Sequence, residues 1–216
     1  MPATTTPYTH EMVIIHRVFR REAALLLRFV TAVRTGDVVR ARRIAGAFRE
    51  YEVGLHHHHA LEDQLIWPKL HERARLYEEQ ITKMELQHGL LDDSLDRARD
   101  LLPAFEESAA DDARDELAAA LADHRGVLTV HLDDEETHTL PLVAEHLSVA
   151  EWDEVGRRGL ETVPKDKVML ALGAILEEAT PEEQRHFMAK VPAVGRLLWH
   201  LVGRHQYRRY TSDLRG

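Results

Sequence analysis

The long stretch between residues 8 and 140 contains little glycine or proline and is dominated by Ala, Leu, Arg and Glu. Apolar residues return every three or four positions, which is typical of long amphipathic helices. Short breaks are predicted at residues 35–37, near 71–75 and between 103 and 112, with Asp37 as an N-cap. Four helices with short connections predict an all-α fold, an up-down-up-down four-helix bundle.

The composition excludes several classes of protein. The 216 residues include no cysteine, which rules out disulfide scaffolds, thiolate zinc sites, iron–sulfur clusters and thiol catalysis. The formal net charge of −9 argues against a nucleic-acid-binding face. No uncharged apolar run reaches the ~20 residues that span a bilayer, and the charged N-terminal region argues against a signal peptide. We therefore expect a cytoplasmic protein without a membrane span.

Histidine and glutamate interrupt the apolar faces of the four predicted helices. The chain has 15 histidines, and histidine is the commonest metal ligand among side chains. We define the seam of a helix as the residues met by alternating steps of three and four, and each seam is apolar except at His and Glu. A buried glutamate is rare unless it is paired or bound to a cation. The predicted metal ligands in the seams are His16, His58, Glu62, His88, His131 and Glu135.

These six residues are expected to lie at one height in the bundle. A helix rises ~1.5 Å per residue, so each height follows from the number of residues to the nearest predicted turn. His16 lies about 19 residues before the first turn and His58 about 21 after it, and the other pairs match to within two or three residues, or ~3–5 Å. The six side chains should therefore meet in one layer.

The spacing His-x-x-x-Glu places two side chains on one helical face, about one turn apart. Two such pairs occur, His58 with Glu62 and His131 with Glu135. Six protein ligands are too many for one metal, whereas two metals bridged by both carboxylates accommodate them. Mixed nitrogen and oxygen ligation without thiolate suits iron or manganese, and we favour iron.

The chain resembles the hemerythrin-like domain, also called the HHE cation-binding domain. The similarity is carried by HHHHALEDQLIWPKL (56–70) and HLDDEETHTLPLV (131–143), with a histidine in each of the other two helices. The resemblance implies a non-heme di-iron site, oxo- or hydroxo-bridged, which meets O₂, hydrogen peroxide or nitric oxide. Residues 148–216 resemble a helical extension found in actinobacterial members of the family.

Two departures from the oxygen-carrying hemerythrins stand out. Those proteins have a histidine where this chain has Met84, and their helix-four carboxylate follows its histidine by five residues, which would select Glu136. The seam pattern favours Glu135. The six-ligand pattern is more similar to the iron- and oxygen-sensing domain of a ubiquitin-ligase subunit and to bacterial hemerythrin-like proteins. Met84 is expected to be a core residue that leaves one metal position open.

Other histidines leave alternatives open. Within the run at 56–59, only His58 lies in the seam, although His59 with Asp63 repeats the same spacing one position around the helix. His124 fits a hydrogen-bonded core residue. His138 lies in the helix-four seam near the height of Met84, and two readings stay open, a plain buried histidine or a proton donor or extra ligand of the centre.

The predicted organisation is a di-iron bundle over residues 1–147, followed by a helical extension over 148–216 that packs on the bundle or on a partner subunit, with a homodimer possible. Two functions remain open. The first is a reaction with hydrogen peroxide or O₂, such as catalase-like peroxide disproportionation. The alternative is a non-catalytic module that binds, stores or senses O₂, nitric oxide or iron.

Overall fold

The computed structural model describes residues 6–215, and the regular elements in that range are all helical. The predicted all-α class is confirmed. Three short segments, Arg75–Tyr77 (3₁₀) and Glu135–Thr139 and Trp199–Gly203 (π), lie between the α-helices. The α-helices are α1 (His10–Thr31), α2 (Val38–Leu65), α3 (Trp67–Arg73), α4 (Glu78–Ser108), α5 (Asp111–Asp134), α6 (Leu140–His146), α7 (Val149–Thr162), α8 (Val168–Glu178), α9 (Pro181–Lys190), α10 (Ala193–Leu198) and α11 (Arg204–Arg215).

Helices α1, α2, α4 and α5 form the predicted four-helix bundle. Each packs on the next along the chain, and α5 returns to pack on α1. Polar contacts give the direction of the closing pair, since Arg20 of α1 bonds Asp133 near the end of α5, whereas Arg114 near the start of α5 reaches the carbonyl of Val33 just after α1. Helices α1 and α5 are therefore antiparallel, as the up-down-up-down order requires.

The turns fall where the sequence predicts them. The side chain of Asp37 caps α2 by accepting a hydrogen bond from the backbone N–H of Arg40 at 3.0 Å. Gly36, just before this cap, has a φ of +81°, a conformation that costs glycine little. Helix α4 continues through Pro103 and ends at Ser108, so the third turn is narrower than the predicted range.

Two prolines interrupt the helices that carry the buried glutamates, each six residues after one. Pro68 lies in the first turn of α3, and α2 ends at Leu65. Pro141 follows the π-helical segment Glu135–Thr139, which we call the π-turn. There the N–H of Leu140 donates to the carbonyl of Glu135, five residues earlier. Proline lacks an N–H and clashes with the preceding turn, which explains why the regular ladder does not continue there. The π-turn moves the later inward positions by one residue.

An apolar cluster closes the bundle at the end reached by these prolines. Trp67, Leu70 and Ile81 are fully buried in it. Helix α7 belongs to the same cluster through Trp152 and Val155. The other members of the cluster include Met12, Ile66, Met84, Leu140, Leu142 and Val143.

The described residues divide into two compact units, one that extends to Gly159 and one that begins at Leu160. In the second unit, a Cβ added to Gly173 of α8 would lie 2.3 Å from the ring of Tyr207, so glycine is what allows α8 and α11 to approach. Among residues 6–215, no helix combines the length and the apolar character needed to cross a membrane. The division at residue 147 stays a prediction.

Candidate metal centre

Seven buried or nearly buried side chains converge in the middle of the bundle. They form two groups, and within each group one potential ligand atom per residue lies within 4.8 Å of the others. Glu62 belongs to both groups. The first group is His16, His58, Glu62 and Glu135, and the second is His59, Glu62, His88 and His131.

The carboxylate of Glu62 lies between the two groups. Its Oε1 is 3.1 Å from Nε2 of His58, and its Oε2 is 3.4 Å from Nε2 of His88. Each oxygen therefore faces a different group, which is the arrangement of a carboxylate that bridges two ions. Glu62 is fully buried, so this orientation is fixed by packing rather than by solvent.

Glu135 also spans the two groups, from the opposite side of the bundle. Its Oε2 lies 3.3 Å from Nε2 of His16 and 3.8 Å from Nε2 of His131. The side chain is fully buried. Glu135 is therefore a member of the first group that also lies close to His131 of the second.

None of these converging atoms has a hydrogen-bond partner. The Nε2 atoms of all five histidines and both oxygens of both glutamates are buried and unpaired. Buried polar atoms without partners are costly, and most such atoms in proteins are satisfied by other groups, by water or by a metal. A set of imidazole nitrogens and carboxylate oxygens without thiolate fits iron or manganese. These residues can therefore hold a pair of such ions.

Three of the histidines form hydrogen bonds through Nδ1, the ring nitrogen that is turned away from the centre. Nδ1 of His16 lies 2.9 Å from Oε1 of Glu136, and Nδ1 of His88 lies 2.8 Å from Oδ1 of Asp63. Nδ1 of His131 lies 3.3 Å from Oε1 of Gln87. A proton on Nδ1 leaves the lone pair of Nε2 free to face the centre, which is how outer hydrogen bonds orient metal-binding histidines.

These outer residues are themselves anchored at the surface of the bundle. Arg20 donates to Oε1 of Glu136 at 2.6 Å and to Asp133 at 2.6 Å. Gln87 donates from Nε2 to Asp134 at 2.8 Å, and this carboxylate also pairs with Lys83. The orientation of the inner histidines is thus coupled to charged groups on α1, α4 and α5.

Burial controls the protonation of the inner residues when no cation is bound. It lowers the pKa of His58 to about 4 and that of His131 to about 2. Burial, together with the neighbouring Glu62, raises the pKa of Glu135 well above its usual range. Burial also opposes the charged form of His88, but the Asp63 and Glu62 carboxylates raise its pKa to about 10. Neutral imidazoles dominate this core at neutral pH, and neutral imidazole is the form that binds metals.

Aromatic rings wall the centre on two sides. The ring of Phe19 lies 5.0 Å from that of His58, and the ring of Trp67 lies 5.8 Å from that of His88. Tyr51 lies one layer further out, against Phe19, where its hydroxyl bonds Nε2 of His124 at 2.7 Å. These rings keep bulk water away from the histidine layer.

The fold and this donor set agree with the comparison against known families. The model of the hemerythrin HHE cation-binding domain matches residues 8–143. The chain belongs to this family. No curated protein and no solved structure matches the chain.

The six residues predicted for the hemerythrin-like centre are all among the seven that converge, and the structure adds His59. The expectation that only His58 of the histidine run faces inward is wrong, since His59 is 4% exposed and its ring stacks on that of His88 at 4.3 Å. Glu62 follows His58 by four residues and His59 by three, so both histidines share a face with it. The inward face of a bundle helix is wider than a single seam, which is why the narrow pattern missed it.

The predicted inward position of His138 is wrong. His138 is exposed, and Thr139 is fully buried in its place. The seam assumed a regular α-helix, but the π-turn at Glu135–Thr139 shifts the inward face by one residue. The sequence signal for this irregularity is Pro141, which the seam pattern passes over.

The structure also gives the positions of Glu135, Glu136, Met84 and His124. Glu135 lies in the first group of potential ligands, whereas Glu136 contacts Nδ1 of His16, the nitrogen on the far side of the ring from the centre. Met84 is fully buried in the apolar cluster, as expected for a core residue. The core role expected for His124 is confirmed, because it is fully buried between Tyr51 and Ser94.

Proposed function

We propose that the chain is a non-heme di-iron protein that binds and reacts with hydrogen peroxide or O₂. The observation that carries the proposal is the pair of four-residue groups that share Glu62. One group would hold the first ion through His16, His58, Glu62 and Glu135, and the other would hold the second through His59, Glu62, His88 and His131. Manganese is the second choice of metal.

The donor count favours binding of a small exogenous ligand. The seven side chains present five imidazole nitrogens and four carboxylate oxygens. Two octahedral ions have about 12 positions, so about three would remain for water or for a small ligand. A pair of bound iron ions would exchange electrons with that ligand. Asp63, Gln87 and Glu136 would hold the imidazoles in place, and the rings of Phe19 and Trp67 would keep the surroundings apolar.

Peroxide is a suitable substrate on chemical grounds. Disproportionation converts two molecules of hydrogen peroxide into two of water and one of O₂, so it consumes no external reductant. The protons released by one peroxide are taken up by the other. The buried, largely neutral histidine layer supports such a reaction by excluding bulk water from the site. A cytoplasmic location and a homodimer stay predictions.

The proposal is tested by adding hydrogen peroxide to the iron-loaded, full-length protein and recording O₂ release with an oxygen electrode. We expect O₂ release that is lost in the Glu62→Gln variant and kept in His138→Ala, because His138 is exposed. If iron-loaded protein releases no O₂ but forms a long-lived, reversible adduct with O₂ or nitric oxide, the non-catalytic binding or sensing function is supported instead.

A further inference from the structure

The layer next to the histidines contains one polar side chain among apolar ones. Moving four residues from His16, Glu62, His88 and Glu135 toward the same end of the antiparallel bundle leads to Met12, Ile66, Met84 and Thr139. This step is about one helical turn, or ~5–6 Å. Met12 is 4% exposed, and the other three residues are fully buried. Thr139 is therefore the hydroxyl-bearing member of the layer that covers this side of the candidate centre.

The hydroxyl of Thr139 has no hydrogen-bond partner. A threonine in a helix can satisfy its hydroxyl by bonding the carbonyl four residues earlier. In this chain Thr31 bonds Leu27 and Thr129 bonds Arg125 in that way, each at 2.8 Å. Thr139 is in the π-turn, where the carbonyl of Glu135 instead accepts from the N–H of Leu140. The irregular turn thus leaves a buried hydroxyl unpaired, one turn from a predicted ligand.

A second buried donor without a partner lies in the same region. The indole Nε1 of Trp67 is unpaired, and its ring is 5.8 Å from that of His88. Trp67 packs in the cluster that contains Met12, Ile66 and Met84. The hydroxyl of Thr139 and the indole N–H of Trp67 are thus two buried donors without partners in an apolar region. Leaving them unpaired is costly unless a bound polar species satisfies them.

We propose that the Thr139 hydroxyl hydrogen-bonds the non-protein ligand of the metal centre, on the side that faces the Met12, Ile66 and Met84 layer. The ligand is of the class of water, hydroxide, peroxide or another small anion, because the other members of this layer are the large, buried apolar side chains of Met12, Ile66 and Met84. This inference rests on the proposed function. Thr139 would select ligands that can accept or donate a hydrogen bond next to the metal-bound atom.

The test uses azide as a small-anion probe on full-length, iron-loaded protein. Thr139→Val removes the hydroxyl at nearly constant volume, Thr139→Ser keeps it, and Thr129→Val makes the same change on the exposed face of the bundle. We expect the azide Kd to rise about tenfold in Thr139→Val, as for the loss of one hydrogen bond, and to stay near the wild-type value in the other two. Iron content should be equal in all four proteins.

A second readout is independent of the loaded centre. Metal-free Thr139→Val should unfold at a temperature no lower than that of the metal-free wild type, because an unpaired hydroxyl is replaced by a methyl group. Equal azide Kd values for wild type and Thr139→Val overturn the inference. Loss of iron from Thr139→Val also overturns it, since the hydroxyl would then support a protein ligand. A wild-type protein that binds no iron contradicts the proposed function itself.

Discussion

The Nδ1 atom of His88 lies 2.8 Å from Oδ1 of Asp63, which follows Glu62 directly on α2. One turn of α2 therefore supplies inward donors from His59 and Glu62 and also an outer carboxylate that orients a histidine of α4. Such outer carboxylates fix the tautomer of a metal-binding histidine and raise its basicity. Asp63 is half exposed, so it can be changed without opening the core.

The first prediction concerns this outer carboxylate. Asp63→Asn should lower the metal affinity by about 10- to 100-fold, because the amide orients His88 less strongly than the carboxylate does. Competition with a chelator of known affinity measures the change. Asp92→Asn, on the exposed face of α4, is the matched control and should leave the affinity unchanged. Equal affinities for both variants would show that Asp63 has no influence on the centre.

The second prediction separates the two histidines that the sequence could not rank. His59→Ala should lower the metal content from two ions per chain to one or fewer, since His59 is a member of the second group. His56→Ala, in the same run but exposed, should retain both ions. Elemental analysis after dialysis gives the ratio. Two retained ions in His59→Ala would remove His59 from the ligand set.

The third prediction concerns the buried pair of Tyr51 and His124, away from the centre. Burial lowers the pKa of His124 from 6.5 to about 4. Between pH 6.5 and 4, His124 binds a proton in the unfolded chain but not in the folded chain. The contribution of neutral His124 to the free energy of unfolding is therefore complete above pH 6.5 and is lost as the pH falls toward 4. We expect the free energy of unfolding to fall by about 2 kcal/mol more in wild type than in His124→Gln between pH 7 and 5.

Urea unfolding of both metal-free proteins at several pH values measures this difference. The ligand histidines titrate in both proteins, so their contributions cancel in the comparison. Parallel pH dependences for wild type and His124→Gln would show that His124 does not titrate with a lowered pKa.

The fourth prediction concerns α7. Trp152 and Val155 are buried in the cluster that contains Trp67 and Met84, and Arg73 pairs with Glu151 at 2.8 Å. A chain ending at residue 147 should therefore be less stable, by roughly 3–5 kcal/mol for the lost tryptophan alone. A chain ending at residue 163 should keep the bundle and its metal content. Thermal unfolding of both truncations against the full chain tests this, and equal melting temperatures for the two would contradict it.

Much of the fold and part of the site follow from periodicity. Heptad-like spacing identifies the four bundle helices. Counting residues from the predicted turns then places the six predicted ligands in one layer. The same method cannot see a local change of period. The π-turn before Pro141 places His138 outward and Thr139 inward, and a seam with a fixed period does not include such a shift although Pro141 marks its place.

The outer hydrogen bonds also lie beyond the reach of sequence spacing. Asp63, Gln87 and Glu136 look like surface residues of amphipathic helices, yet each bonds the Nδ1 atom of a histidine on another helix. Their roles depend on the rotation of neighbouring helices about their axes, which a one-dimensional pattern does not fix. His59 was missed for a related reason, because the width of the inward face depends on how closely the helices pack.

The central claim is a two-ion centre in which Glu62 is shared. Its most direct test is the metal content of the full-length protein, purified from iron-supplied cells without added zinc and measured per folded chain. The account predicts two iron ions per chain, and loss of both in Glu62→Gln. One ion per chain, or a single tightly held zinc, would contradict the shared two-ion centre.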